Sequence, residues 1–174
     1  MNQAEKEHGK HMEKSGNDHK IARDLGFSLL SEGRILRIRA GGYSMYPSIK
    51  PGTTILISPK ENMKDIVPGD IIAWKRAQGF VVHRLIRTEE RGNEILYYTR
   101  GDSCRHEDSP VTGEQIAGKV IRTEDRKNRI KKGDQLRKKP AYPLNRIIVR
   151  FISGIKHLTN NLSAIFAKAS GSNE

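Results

Sequence analysis

A serine and a histidine in this chain have the surroundings that a nucleophile and its base require. Ser44 lies in the turn Gly-Tyr-Ser-Met-Tyr-Pro, residues 42–47, and His83 follows 39 positions later within Val-Val-His-Arg. A serine hydroxyl attacks a carbonyl efficiently only when a neighbouring base takes its proton. Gly42 permits a tight turn and a close approach of a substrate backbone, while Pro47 fixes the chain just after it. These residue types predict acyl-transfer chemistry.

Each half of this pattern also has an ordinary structural explanation. Glycine, serine and proline collect in turns for conformational reasons, and a histidine on a strand can fill a core position. His83 shares one strand face with Val81 and Leu85, where burial of an unpartnered imidazole would be costly. A hydrogen bond to any core group would satisfy the ring, whereas a bond to Ser44 would give it a chemical role.

Aspartates follow both halves of the pattern. Asp70 lies in Pro-Gly-Asp-Ile-Ile, Asp102 ends Thr-Arg-Gly-Asp, and Asp108 comes six residues later. In this order and at these spacings, the set resembles the signal peptidase I family of serine endopeptidases. The nearest match is the endoplasmic-reticulum and archaeal-like branch, which has histidine where the bacterial branch has lysine. The resemblance covers residues 33–120, and its most specific parts are the Ser-Met-x-Pro turn, the Val-His-Arg strand and the Gly-Asp pair followed by Asp108.

The resemblance implies a role for each matched residue. Ser44 corresponds to the nucleophile, His83 to the general base and Asp108 to the aspartate that orients the imidazole. Asp102 corresponds to an aspartate with a more structural part. Supporting positions in the serine turn are Gly42, Met45 and Pro47. The implied substrate is an extended peptide or protein segment with small side chains before the cut, and no metal or organic cofactor is implied.

Two features depart from the family pattern. Position 42 is glycine where many signal peptidases carry a small hydroxyl residue, so backbone N–H donors such as that of Ser44 would have to stabilise the oxyanion. No apolar run long enough for a transmembrane helix is present, and residues 1–20 lack the apolar centre of a secretory signal. We therefore expect a cytoplasmic protein, at most peripheral on a membrane. The Gly-x-Ser-Met turn also resembles LexA-like self-cleaving peptidases, which use a lysine base.

The charge balance narrows the choice of partners. The 32 Lys and Arg residues against 20 Asp and Glu give a net charge of +12, which favours an anionic partner. Aromatic residues make up only 6% and no familiar nucleic-acid-binding motif is present, so an anionic membrane surface is a better candidate than nucleic acid. Cys104 cannot form an internal disulfide because it is the only cysteine. Beside His106, it is the alternative nucleophile.

Apolar periodicity predicts a mainly β domain with helical flanks. Residues 1–20 have too little apolar surface to fold and predict a disordered tail. Residues 21–133 predict the peptidase domain, a β-rich unit of the signal-peptidase and LexA-like kind that begins with a short helix ending near Gly33. Its strands are predicted at 35–40, 53–58, 71–74, 80–87, 94–99, 115–123 and 129–131. The remainder predicts a basic linker at 134–143, an amphipathic basic helix at 144–169 and a tail at 170–174.

Two questions stay open at the level of sequence. The C-terminal helix could dock its apolar face on the domain, or it could lie in the interface of an anionic membrane. The chain could also be a self-processing or partner-specific peptidase, or a catalytically silent relative that binds membranes or peptides through its basic surface.

Overall fold

The computed structural model describes residues 24–60, 66–76, 79–138 and 140–155. The predicted tails at 1–20 and 170–174 lie outside the described residues. The same holds for residues 156–169 of the predicted C-terminal helix.

Eight strands form one antiparallel sheet, which confirms the prediction of a mainly β fold. The strands are β1 (Leu36–Arg39), β2 (Thr54–Pro59), β3 (Ile71–Arg76), β4 (Gly79–Arg91), β5 (Glu94–Arg100), β6 (Val111–Thr112), β7 (Ile116–Glu124) and β8 (Ile130–Lys132). Their order in the sheet is β1-β2-β7-β3-β4-β5-β6, with β8 paired to β7. All seven predicted strands occur. The two-residue β6 was not predicted.

Helices are short in the described part of the chain. They are α1 (residues 24–31), α2 (Gly133–Leu136) and α3 (residues 142–155), and a 3-10 turn lies at Gly113–Gln115. None of these helices, as far as the described residues extend, combines the length and apolar character needed to cross a membrane.

Apolar side chains pack on both faces of the sheet, because successive residues of a strand point to opposite sides. Ile71 and Ala73 of β3 face the larger core, whereas Ile72 and Trp74 face the smaller one. The larger core also receives Leu30 from α1 and Met45 from the serine turn. The serine turn is thus attached to the sheet by its own buried residues.

The long β4 strand carries His83 through the centre of the sheet. It pairs with β3 on one side, placing His83 opposite Ile72, and with β5 on the other side. The β4–β5 hairpin turns at Gly92, whose φ of 62° favours glycine. His83 is therefore positioned by its pairing with Ile72 on one side, and on the other side the pairing with β5 begins at the next residue, Arg84.

Asp70 joins three parts of the chain just before β3. Its carboxylate accepts hydrogen bonds from Lys119 at 2.7 Å and Arg137 at 2.6 Å, and a third from the Val67 N–H at 3.1 Å. Burial raises the pKa of Asp70, but these bonds outweigh it and leave the pKa below the usual aspartate value. The pair with Arg137 connects the C-terminal segment to the edge of β3.

The segment expected as a basic linker begins with α2, and its Leu136 belongs to the larger core. The first turns of α3 also contact the domain, through the buried Asn145 and through Tyr142, whose ring lies 3.6 Å from the Arg100 guanidinium. The outer face of α3 is apolar and exposed. Its members are Leu144 (57% exposed), Ile147 (62%), Phe151 (73%) and Ile155 (53%).

Candidate active site

The serine turn is a compact loop between β1 and β2. Its base is closed by two backbone hydrogen bonds, from Ala40 to Thr53 and from Gly52 to Ala40. Met45 and Ile49 are buried and linked by a backbone bond of 2.8 Å. The Tyr46–Pro47 peptide bond in this loop is cis. Burial on both sides of the turn leaves Ser44 at the border between core and solvent.

His83 is held by an aspartate, as the sequence led us to expect. Its Nδ1 lies 2.7 Å from Asp108 Oδ2, and the same oxygen accepts a 2.6 Å bond from the Thr99 hydroxyl. The Asp108 N–H donates in turn to the Thr99 carbonyl at 2.7 Å. Asp108 is therefore fixed by both its backbone and its side chain, and the imidazole ring with it.

The charge of Asp108 determines which imidazole nitrogen carries the proton. Burial raises the pKa of the Asp108 carboxyl, but hydrogen bonds from His83 and Thr99 outweigh this effect and leave it below the usual aspartate value. The carboxylate stays ionised and can only accept hydrogen bonds. We therefore assign the proton to His83 Nδ1, which leaves Nε2 with a free lone pair.

Ser44, His83 and Asp108 line one cavity of about 320 Å³, together with Gly42 and Met45. Gly101 has no side chain, which lets the serine turn and His83 approach each other closely. A methyl group at this position would lie 2.7 Å from the Ser44 carbonyl oxygen and 3.1 Å from His83 Nε2. Across the described residues, no hydrogen bond joins Ser44 Oγ to either ring nitrogen. Such contacts often tighten only when substrate is bound.

The serine turn offers a backbone donor for a developing oxyanion. The Ser44 N–H forms no hydrogen bond with any residue in the described ranges. Gly42 lines the cavity and supplies no hydroxyl group. The Ser44 N–H is therefore available to an oxyanion formed on a carbonyl beside Ser44.

Arg84 connects the loops around the site, a role that the sequence analysis did not assign. The Arg84 side chain is only 2% exposed. Its guanidinium forms a bidentate ion pair with the fully buried Asp102, with N–O distances of 2.8 and 2.7 Å. Further bonds run to the Gly69 and Leu136 carbonyls at 2.8 and 2.6 Å, and to Ser48 Oγ at 3.2 Å. All five N–H groups are thus used. Since Arg84 follows His83 directly, it ties the base to the serine turn and to the Gly-Asp loop.

Ser103 is a second residue that the sequence analysis missed. Its hydroxyl lies 2.6 Å from the Tyr43 carbonyl and 3.0 Å from the Ser44 carbonyl, and its N–H donates to the latter at 2.9 Å. The loop after Asp102 is therefore hydrogen-bonded to the backbone of the serine turn at Tyr43 and Ser44. On the other side, the Asn145 side chain of α3 donates to the Asp102 carbonyl at 3.1 Å.

Cys104 Sγ lies near Gly101, but the thiol is a poorer nucleophile than the Ser44 hydroxyl. Burial raises the pKa of its thiol, and the charge of nearby Asp108 raises it further. The reactive form of cysteine is the thiolate, so these surroundings suppress reactivity. His106, two residues further along the chain, is exposed. Within the described ranges, no group of three or more His, Cys, Asp or Glu side chains is arranged to hold a metal ion.

Comparison with known proteins gives a partial match. No family model matches the chain. It is 32% identical over 75 residues to signal peptidase I W of Bacillus subtilis (strain 168), a match that covers 42% of this chain and 40% of that relative. The chain therefore spans well under half the length of the curated relative that it matches.

Proposed function

We propose that the chain is a serine endopeptidase of signal-peptidase type, with Ser44 as nucleophile, His83 as general base and Asp108 as the group that orients the imidazole. The observation that carries this proposal is the 2.7 Å bond between His83 Nδ1 and Asp108, which leaves Nε2 free beside a cavity that Ser44 also lines. The partial similarity to signal peptidase I W supports the same reaction class.

The proposed reaction proceeds through an acyl-enzyme. Ser44 Oγ bonds to the scissile carbonyl carbon while its proton passes to His83 Nε2, and backbone N–H groups receive the oxyanion. The carbon–nitrogen bond then breaks, and the imidazolium gives its proton to the leaving amine. Water, deprotonated by the same imidazole, attacks the ester and releases the new carboxyl end with Ser44 restored. The substrate is an extended peptide that enters the cavity beside β1.

A serine-directed acylating probe tests the proposal directly. The folded chain should be labelled once, at Ser44, because a neighbouring base activates its hydroxyl. Ser109, which is exposed and lies next to Asp108, provides an internal control because it has no base. Labelling spread over several serines, or none at Ser44, would contradict the nucleophile assignment. A cleaved form of the chain itself, lost in Ser44→Ala, would favour the self-processing alternative.

An Asp108→Asn variant should cleave peptides about a hundredfold more slowly or worse, because asparagine can donate to Nδ1 and stabilise the wrong imidazole tautomer. Asp108 has a lowered pKa, so its contribution to folding is present above the ordinary aspartate range and is lost as the pH falls through the lowered value. Chemical unfolding at neutral and acidic pH should therefore show a smaller acid sensitivity in the variant. Glu107→Gln, on the exposed side of the same loop, is the control. Equal rates for Asp108→Asn and Glu107→Gln would remove the orienting role.

The exposed face of α3 supports a second binding role, at an anionic membrane surface. Leu144, Ile147, Phe151 and Ile155 are more than half exposed, and Arg150 lies on the same side with Phe151 and Ile155. The sequence from Gln135 to Asn173 contains no acidic residue. An apolar stripe flanked by cations is the pattern of an interfacial helix.

Vesicle sedimentation measures this role. Ile147→Ser with Phe151→Ser should reduce binding of the intact chain to anionic vesicles by at least about tenfold, because burial of such side chains contributes about 1.5–3 kcal/mol each. Ile95→Ser, an exposed apolar position on β5, is the matched control. Point substitutions are preferable to truncation, because Leu136 and Asn145 hold the C-terminal segment in the domain. A chain that ignores anionic vesicles even at low salt would exclude the interfacial role.

A further inference from the structure

Two arginines that form no ion pair with the described residues lie at the rim of the active-site cavity. Arg39 is the last residue of β1 and Arg76 is the last residue of β3, and both line the cavity with Ser44 and His83. Both are exposed. Neither lies within 4.0 Å of a carboxylate in the described part of the chain. Arg37, two residues earlier on β1, pairs instead with Glu124.

The described residues that line the cavity offer no carboxylate free to pair with these two arginines. Among the described residues that line it, the only carboxylate belongs to Asp108, which is occupied by His83 and Thr99. Burial raises the pKa of Asp108, whereas the hydrogen bonds from His83 and Thr99 lower it. The positive charge of Arg76 lowers the same pKa further. Arg76 lines the same cavity as Ser44, His83 and Asp108, and it forms no ion pair with a described carboxylate, so its charge is available to a ligand.

The interior of the cavity has a different chemistry from its rim. Its walls include the apolar side chains of Ile38, Met45, Ile49, Ile55, Phe80 and Val82. Apolar walls accept a small or apolar side chain and would reject a carboxylate, because burial of an unpaired charge is costly. An anionic group of a bound peptide would therefore remain at the rim, within reach of the guanidinium groups, which match carboxylates in fork geometry.

We propose that Arg39 and Arg76 form an acidic-residue subsite, so that the preferred substrate carries Asp or Glu near the scissile bond while a small or apolar side chain enters the cavity. This inference rests on the proposed function and adds the substrate class to it. Charge complementarity at a rim of this kind raises the rate of productive encounter and decreases with salt.

Matched synthetic peptides test the subsite. The two peptides of a pair differ only in having Glu or Gln at one position, and successive pairs move this position along both sides of the cut. All these peptides have blocked ends. One further peptide carries a free C-terminal carboxylate. Wild type should show a kcat/KM about tenfold higher for Glu than for Gln at one or two positions at low salt. Arg39→Gln and Arg76→Gln should bring that ratio close to one. Arg91→Gln, a 72% exposed arginine at the far end of β4, should leave the ratio as in wild type.

The outcomes separate the subsite from the peptidase proposal. Equal cleavage of Glu and Gln peptides, or a preference that survives both arginine substitutions, would overturn the subsite and leave the peptidase intact. A preference for only the peptide with the free C-terminal carboxylate would show that the arginines recognise a chain end and not an acidic side chain. This result would also overturn the subsite. If no peptide is cleaved, the Ser44→Ala protein is titrated with fluorescent Glu and Gln peptides. Tighter binding of the Glu peptide, lost in the arginine variants, would support the subsite, and equal binding would reject it.

Discussion

A Ser44→Ala or His83→Ala variant is expected to lose peptide cleavage by at least about a thousandfold while keeping its fold, because nucleophile and base act as one unit. For the same reason, the double variant should be little worse than either single one. The measurement is kcat/KM on one peptide, with thermal unfolding followed in parallel. His83 sits at the centre of the sheet, so His83→Gln provides a second variant of similar size if the alanine protein is unstable.

Two substitutions on the neighbouring loop give matched controls. His106→Ala and Ser109→Ala remove the same groups from exposed positions and should leave turnover unchanged. Substantial turnover by a folded Ser44→Ala protein would remove the nucleophile assignment. If that residual activity were then lost in Cys104→Ala, the thiol would be the nucleophile despite the raised pKa that burial gives it.

The largest loss of stability is expected for Arg84→Met, about 3–5 kcal/mol in the free energy of unfolding. Asp102 is fully buried, and this change would leave its carboxylate without a counter-ion. Arg84→Lys should not restore the loss, since an ammonium group cannot reproduce the bidentate pair or reach the remaining acceptors together. Urea unfolding of each variant measures the effect.

A double substitution distinguishes the loss of the ion pair from the loss of packing. Asp102→Leu combined with Arg84→Met should be more stable than Arg84→Met alone, because replacing both members of a buried pair removes the uncompensated charge. Arg87→Met, on the same strand but exposed, should have only a small effect. An Arg84→Met protein with the unfolding midpoint of wild type would show that the buried pair does not hold these loops.

The strands were predictable because each alternates or runs apolar between clear turn residues. The β4–β5 hairpin illustrates this, with Gly92 and Asn93 at the turn, although β4 continues to Arg91, four residues beyond the predicted end at residue 87. The β6 strand was missed because two residues, Val111 and Thr112, are too short for any periodicity to appear. Its pairing depends on Leu96 and Tyr97 of β5, which are neighbours only in the folded chain.

The candidate site was predictable where a motif marks it and not where contacts cross between loops. The sequence suggested that Asp108 would contact His83, and the 2.7 Å bond is present. The catalytic roles of these residues remain predictions. Arg84 and Ser103 were missed, because each acts on backbone carbonyls of distant segments that no spacing rule identifies. A hint was available in Arg84, since a charged residue on a central strand requires a buried counter-ion.

The contacts of the C-terminal segment bear on how this protein can be shortened for study. The Leu136 carbonyl accepts from Arg84, and Asn145 donates to the Asp102 carbonyl, so both ends of the buried ion pair are touched from beyond residue 133. A fragment that stops at the end of the sheet would expose the Arg84 guanidinium and the loop that carries Asp102 to solvent, whereas both side chains are buried in the full chain. The smallest unit worth expressing therefore extends through Asn145.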